Sequence, residues 1–250
     1  MAQDRFFENN RILSYPKVES TNAIAMQKIK EQQAEHGDIF ITEFQTNGKG
    51  QQLNSWFSSV GTNILCSFVC KDIQVPANKL SSFNMMVSLA VHKVINKYFP
   101  QKVRVKWPND VFVDDKKIAG ILIESVLSGN LVKHLVIGIG INVNESSFPK
   151  EIGSACSFYT LTNSNFNKED VLNELIVSLN DFLSIVPRLG INDIIRSYES
   201  VQYGINQKKY FRVGNEKIEG MILGINPEGQ LRLQTQSGTL TFNNKEISFD

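Results

Sequence analysis

Cysteine is scarce: only Cys66, Cys70 and Cys156 occur in 250 residues. An odd, sparse set cannot build a disulfide framework, and it points to a reducing compartment. Histidine is equally thin, with His36, His92 and His134 far apart and none in a His-x-x-x-His or Cys-x-x-Cys frame, so zinc chemistry lacks its usual ligand spacing. No Gly-x-Ser-x-Gly elbow offers a serine nucleophile. Neither sign of charge dominates. Lys and Arg total 26 against 25 Asp and Glu, a net charge of +1, which argues against a broad phosphate-neutralising surface for nucleic acid. No apolar run approaches the length of a membrane span, and the opening MAQDRFFENN is polar with no signal core. These absences imply a soluble cytoplasmic protein without a membrane or DNA partner.

What is present describes a folded chain. Hydrophobic residues make up 42% and charged residues 20%, the composition of an ordinary globular protein rather than a disordered one, and a chain of 250 residues is long enough to bury a core without staples. Cys66 and Cys70 lie four apart in NILCSFVC, where a strand points both to one face, and are expected to pack as small hydrophobes. Ser20-Thr21-Asn22 before AIAMQKIKEQQAEHG offers capping hydroxyls to a helix, with Gly37 beyond its end. DIFITEF (38–44) and TNILCSFV (62–69) read as strands. From Asn78 to Tyr98 the apolar positions recur at helical spacing until Pro100. VRVKW, VFVDD, KKIAGILIESVL and NLVKHLVIGIGINVN follow as consecutive strands, turning at Asp114-Asp115 and Ser128-Gly129-Asn130. Residues 168–186 and 191–199 are helical in pattern. Helices and strands in this order predict an α+β layer with a largely antiparallel sheet. The last fifty residues are short strands between Gly, Asn and Pro turns, as in a small all-β barrel, so a boundary is placed near 200, with domains 1–200 and 201–250. The first apolar-periodic helix begins near residue 20, which leaves no room before it for a helix-turn-helix module.

Several segments carry chemistry. Gln45-Thr46-Asn47-Gly48-Lys49-Gly50 follows a strand, and its glycines let backbone amides approach an anion beside a lysine, although it is not a Walker loop. Trp56 is placed to stack on a flat ring or to join the core. In Lys106-Trp107-Pro108-Asn109-Asp110 the proline ends a ladder and Asn109 and Asp110 share a turn. Lys117 leads into Ile118-Ala119-Gly120, and a hairpin of this length brings it toward Lys106. Gly138-Ile-Gly-Ile-Asn142 mimics a dinucleotide fingerprint but has Val143 where the last glycine belongs. Glycines alternating along a strand mean that a helix or a ligand packs against the backbone.

In this order along the chain, Ser20-Thr21-Asn22, the Gln-x-x-Gly-x-Gly…Trp segment, KWPND, KKIAG and GIGIN resemble biotin–protein ligases over essentially the whole length. The resemblance implies a class II aminoacyl-tRNA synthetase/biotin synthetase-like catalytic domain with a mixed, largely antiparallel sheet, plus a small C-terminal SH3-like β-barrel. It implies the short form of the enzyme, without the DNA-binding repressor domain of some relatives. The implied reaction joins biotin to ATP as biotinyl-5′-AMP and then transfers biotin to a lysine of a biotin carboxyl carrier protein. By the same resemblance Lys117 and Lys49 are catalytic. Ser20, Thr21, Asn22, Gln45, Gly48, Lys49, Gly50, Gln51, Lys117 and Gly120 form the biotin side, with Trp56, Lys106, Asn109, Asp110 and Asn142 on the ATP side. Mg²⁺ arrives with ATP, near Asp110, with no dedicated metal site, and the molecule is a monomer or homodimer. The loop departs from the family's Gly-Arg-Gly-Arg/Gln-x-Gly: Lys49 lacks arginine's planar fork, Gln51 is neutral, and Leu53 replaces a glycine, which strains it if that position needs positive φ. A lipoate or octanoate transferase of the same fold and a non-catalytic biotin or adenylate binder are the alternatives.

Overall fold

The computed structural model describes residues 11–51 and 54–249; the expectation for Leu53 lies outside them. A large sheet has the order β1-β2-β3-β8-β7-β6-β5. Its strands are β1 (Ile12–Tyr15), β2 (Ile39–Thr42), β3 (Ile64–Cys70), β5 (Val103–Lys106), β6 (Asp110–Val113), β7 (Lys116–Ser128) and β8 (Leu131–Ile141), with the short β4 (Val75–Pro76) beside β8. Only β1 and β2 pair in parallel; the other ladders among these strands are antiparallel.

Both faces of this sheet are covered, which explains why β3 is buried at every position. Ile64, Cys66, Phe68 and Cys70 enter the main core with α2 (Leu80–Tyr98). Val69 points the other way, joining Ala25 and Ile29 of α1 (Thr21–Lys30) together with Phe40 and Val136. Cys66 and Cys70 are free and buried as the pattern predicts, and burial pushes the Cys70 thiol up to about 12. Helices α4 (Lys168–Ile185) and α5 (Ile191–Glu199) pack over α2, so that α2 is buried on nearly every side. Buried serines between α2 and α4 are satisfied: Ser88 Oγ donates to Asn84 O at 2.8 Å, and Ser178 Oγ of α4 donates to Ala90 O of α2 at 3.0 Å.

The β8 ladder decides where a site can form. Leu135, Ile137, Ile139 and Ile141 face the main core, while Val136, Gly138 and Gly140 alternate onto the α1 face. Helix α1 covers that face at Val136 and reaches Gly138 through Asn22, but not Gly140. Opposite them lie Leu65 and Ser67 of β3 and Gly120 and Leu122 of β7. An open floor of glycine and leucine is left between covered ends.

The C-terminal strands β9 (Lys208–Val213), β10 (Glu216–Ile225), β11 (Leu231–Thr235), β12 (Gly238–Phe242) and β13 (Ser248–Phe249) form a second antiparallel sheet, ordered β12-β11-β10-β9-β13. Phe211, Ile222, Leu231 and Leu233 bury into the same apolar cluster as α2. Trp107 Nε1 donates to Gly229 O at 2.9 Å, and Ile225 N to Glu199 Oε1 at 3.0 Å.

Most boundaries follow the predicted pattern, with local departures. Helix α1 ends at Lys30 because Gln32 turns to φ 58°, well before Gly37. Strand β1 and the short helix α3 (Phe158–Thr162) carry too little periodicity to stand out; α3 starts at a capping box between Ser157 and Thr160.

Candidate active site

The open floor is the base of a cavity of about 360 Å³. Two side chains explain its glycines. A Cβ on Gly138 would lie within 3.0 Å of the Asn22 amide, and one on Gly140 would lie 2.5 Å from Cε2 of the Trp56 indole. At Gly120 a Cβ would meet the same indole at 2.8 Å. The alternation of glycine therefore admits a helix side chain at one point and a loop aromatic at the other.

At the α1 end a buried polar cluster closes the cavity. Ser20, Thr21 and Asn22 are each almost fully buried. Ser20 sits at the N-cap, yet its hydroxyl makes no capping bond, which corrects the capping role predicted for it. Gln45 Oε1 supplies the acceptor instead, taking Thr21 N at 2.8 Å and Thr21 Oγ1 at 3.2 Å. Ser67 Oγ stands 2.7 Å from Thr21 Oγ1 and 2.6 Å from Asn22 Oδ1. Asn22 Nδ2 donates to Leu122 O at 3.2 Å and to Glu124 Oε2 at 2.7 Å. The Ser20 hydroxyl is thereby left at the cavity wall, on a helix N-terminus whose dipole favours partial negative charge.

The glycine-rich segment folds back on itself above the floor. Trp56 N donates to Gly48 O at 2.8 Å and Gly50 N to Asn54 O at 2.7 Å. Gly48 itself stands behind the cavity, where a Cβ would strike Trp56 O at 2.6 Å and Gln45 Nε2 at 2.8 Å. Its role is to let the loop close, so the structure does not bring it to the cavity wall as predicted. Lys49, Gly50 and Gln51 do line the cavity. The loop is rooted by Glu145, a buried carboxylate that accepts Ser59 N (2.8 Å), Ser59 Oγ (2.7 Å), Thr62 Oγ1 (2.9 Å) and Asn63 Nδ2 (3.0 Å). Four donors satisfy the two oxygens of this buried carboxylate.

The opposite end carries the cations. Lys117 Nζ lies 2.7 Å from Asp110 Oδ1 and 5.5 Å from the Trp56 ring centroid. Lys106 Nζ lies 4.9 Å from the Phe112 ring centroid and 4.6 Å from that of Phe249. Burial lowers the Lys106 pKa; Asp110 opposes that shift, and Lys117 and Lys209 add to it. Asn109 is buried, and its Nδ2 donates to Ile121 O at 2.5 Å, which ties the Asn-Asp turn to β7.

One cavity therefore gathers Ser20, Thr21, Asn22, Gln45, Lys49, Gly50, Gln51, Trp56, Lys106, Asn109, Asp110, Lys117 and Gly120. Asn142 stands apart from them. The chain leaves the sheet after Ile141, and Asn142 Nδ2 turns back to Cys156 O at 3.0 Å. Sequence reasoning missed the tail: Asn244, Ile247, Ser248 and Phe249 also line the cavity, and Asn244 Nδ2 donates to Gln51 Oε1 at 2.6 Å. No local motif marks these residues. Glu145 had a signal, a lone acid directly after the GINVN strand end, but no spacing rule interprets it.

A family model described as biotin/lipoate A/B protein ligase matches residues 15–142, just over half of the chain. The chain belongs to the biotin/lipoate A/B protein ligase family. Relatives of this ligase family include the bifunctional ligase/repressor BirA of Escherichia coli, 29% identical over 221 residues that span 88% of this chain and 68% of that protein. The biotin–protein ligase of Homo sapiens is 26% identical over 231 residues, 86% of this chain and 31% of that one. Among solved structures of the family, the Aquifex aeolicus biotin protein ligase in complex with biotin and ATP superposes with a TM-score of 0.79 at 25% identity. That match covers 98% of this chain and 99% of the other.

Proposed function

We propose that this chain is an ATP-dependent biotin–protein ligase, AMP-forming, which activates biotin as biotinyl-5′-AMP and transfers it to a lysine of a biotin carboxyl carrier protein. The observation that carries the reading is the polarity of one cavity: neutral hydrogen-bonding groups at the closed end, Lys117 and Lys106 at the other, and an apolar glycine floor between. Biotin has the matching order, a ureido ring, a sulfur-containing ring and a carboxylate on an alkyl chain.

In the first half-reaction the carboxylate oxygen attacks the α-phosphorus and the bond to the β-phosphate oxygen breaks, releasing pyrophosphate. Two anions must meet, and fixed cations in a water-poor site lower that barrier. Lys117, anchored by Asp110, is placed to bridge them. Lys49 and the loop amides close over the product, which would otherwise hydrolyse. Ser20, Thr21, Asn22 and Gln45 are assigned to the ureido ring, and Trp56, Lys106 and Asn109 to the nucleotide. Asn142 supports that end from behind. Asp110 is the carboxylate on the cavity wall; one carboxylate does not build a cage, which suits Mg²⁺ delivered on ATP. In the second half-reaction a carrier lysine amine attacks the acyl carbon and AMP leaves.

The buried polar end favours biotin over lipoate. A dithiolane ring offers the Ser20 hydroxyl no hydrogen-bond partner, and burying an apolar ring against this polar wall is less favourable than burying a ureido group that can bond to it. We assign residues 1–200 to the catalytic domain and 201–250 to an SH3-like unit, in a monomer or homodimer. Three buried free thiols suit a cytoplasmic setting, and no described helix is long and apolar enough to cross a membrane. Biotin-dependent ATP–pyrophosphate exchange tests the function. Exchange driven by lipoate, or by neither acid, would overturn it.

A further inference from the structure

Two residues behind the cavity wall decide what that wall can offer a ligand. Glu124 and Ser67 stand outside the cavity lining, yet Asn22, which belongs to it, is held between them. The sheet register explains the arrangement. Ser67 of β3 and Leu122 of β7 flank Gly138 of β8 on either side, and Glu124 follows on the same face, opposite Val136. Asn22 descends from α1 into the gap that Gly138 leaves. Its Nδ2 donates to Glu124 Oε2 at 2.7 Å and to Leu122 O at 3.2 Å, and its Oδ1 lies 2.6 Å from Ser67 Oγ. Glu124 is half-buried, and among the described residues no cation pairs with it.

This chain of contacts has one direction that suits its donors. An ionised carboxylate only accepts, so the Asn22 amide turns its nitrogen to Glu124 and its oxygen to Ser67. The Leu122 carbonyl favours the same orientation at longer range, and the bond to a charged acceptor is the stronger of the two. The Ser67 hydroxyl has one proton, which goes to the amide oxygen because that atom has none to give. The 2.7 Å contact between Ser67 Oγ and Thr21 Oγ1 therefore runs the other way, with Thr21 donating. Gln45 Oε1, 3.2 Å from Thr21 Oγ1, is a second acceptor for the same proton. In either case the proton stays within the wall, and the Thr21 oxygen has only lone pairs left for the cavity. Ser67 is fully buried, so bulk water does not compete for its proton.

We infer that Glu124 is a positioning residue: through Asn22 and Ser67 it fixes Thr21 as a hydrogen-bond acceptor, so that the closed end selects a ligand ring that donates an N–H. The inference rests on the ligase reading and deepens it, since a ureido ring carries two such donors. A neutral amide in place of the carboxylate opens the reverse chain, in which the Asn22 amide turns over, Ser67 donates to Thr21, and Thr21 is free to donate into the cavity. The charge at residue 124 therefore governs which ring is accepted, rather than how tightly the wall is packed.

The test measures binding to the full-length protein by calorimetry without ATP. The ligands are biotin and its two cyclic-carbamate analogues, each with one ureido N–H replaced by oxygen. Wild type should reject one analogue by at least about 100-fold relative to biotin, because two sets of lone pairs then face each other. Glu124→Gln keeps the shape and removes the charge, and should cut that ratio to about 10-fold or less. Ser67→Ala breaks the middle of the chain and should cut the ratio as far, with the double variant no further. In ¹⁵N-labelled protein the Asn22 side-chain amide protons should move upfield in Glu124→Gln, as a charged acceptor is lost. An equal loss of affinity for all three ligands, with the ratio unmoved, would mark a packing role and overturn the inference, as would additive effects of the two substitutions. Wild type that binds no biotin would overturn the ligase reading as well, whereas bound biotin with an unmoved ratio in Glu124→Gln overturns this inference alone.

Discussion

Gly138→Ala adds one methyl group to a sheet floor and should cost more than its size suggests. The new Cβ would lie within 3.0 Å of the Asn22 amide, closer than side chains tolerate. Asn22 is 2% exposed, so it cannot swing into water without leaving its pocket. Moving it disrupts contacts to Ser67 Oγ, Leu122 O and Glu124 Oε2. Two neutral bonds at about 1 kcal/mol each and one to a carboxylate at about 1.5–3 give about 3.5–5 kcal/mol if all are lost. Partial relaxation of β8 brings the expected cost to about 2–4 kcal/mol, within the range for overpacked sites. Urea denaturation measures the stability, and calorimetry with biotin should show affinity falling at least 10-fold if Asn22 contacts the ureido ring as proposed. The control is a double-mutant cycle with Asn22→Ala, which opens the space the methyl needs. In that background Gly138→Ala should cost less than about 1 kcal/mol. An equal cost in both backgrounds would refute the close approach of Asn22 as the cause.

The other predictions concern charge and loop closure. Lys117→Ala should abolish adenylate formation yet shift stability by only about 0–1 kcal/mol, because its pair with Asp110 is partly solvated; a variant forming adenylate within a few-fold of wild type rejects its role. Lys49→Ala should speed escape of biotinyl-adenylate about 10–100-fold, read as biotinylation of a bystander protein, and no increase would show that the loop does not grip through Lys49. Asn244→Ala should leak as Gln51→Gly does, and the double variant no more than either, because both break the same 2.6 Å bond; additive leakage would contradict that. For Lys106, burial sets the native pKa below the ordinary 10.5, so the native state binds the proton less tightly than the unfolded chain. The resulting penalty is full at neutral pH and fades as pH rises from the lowered value toward the ordinary one. Lys106→Met should therefore be the more stable protein at pH 7, by an advantage that shrinks toward pH 10; an advantage independent of pH would rule out this linkage.

Local pattern by itself determined much of this protein. The 2- and 3.6-residue periodicities place β3, α2, β5 to β8, α4 and α5 within a few residues of where they fold, because alternation and helical spacing are short-range properties of a half-buried chain. KWPND and KKIAG, read with the glycine alternation in GIGIN, were enough to name the cations and to show that something must approach the backbone. What approaches was decided only by tertiary structure. Asn22 reaches Gly138, and Trp56 crosses both Gly120 and Gly140, contacts that no local rule contains. The same holds for Gln45 in place of a Ser20 cap, for Asn142 turned back to Cys156, and for Glu145 rooting the loop from 86 residues away. The tail is the clearest case: Asn244 meets Gln51 across 193 residues, and Phe249 covers Lys106. Propensity and periodicity act through neighbours along the chain, whereas a cavity wall is assembled from whichever distant segments the burial of apolar faces brings together.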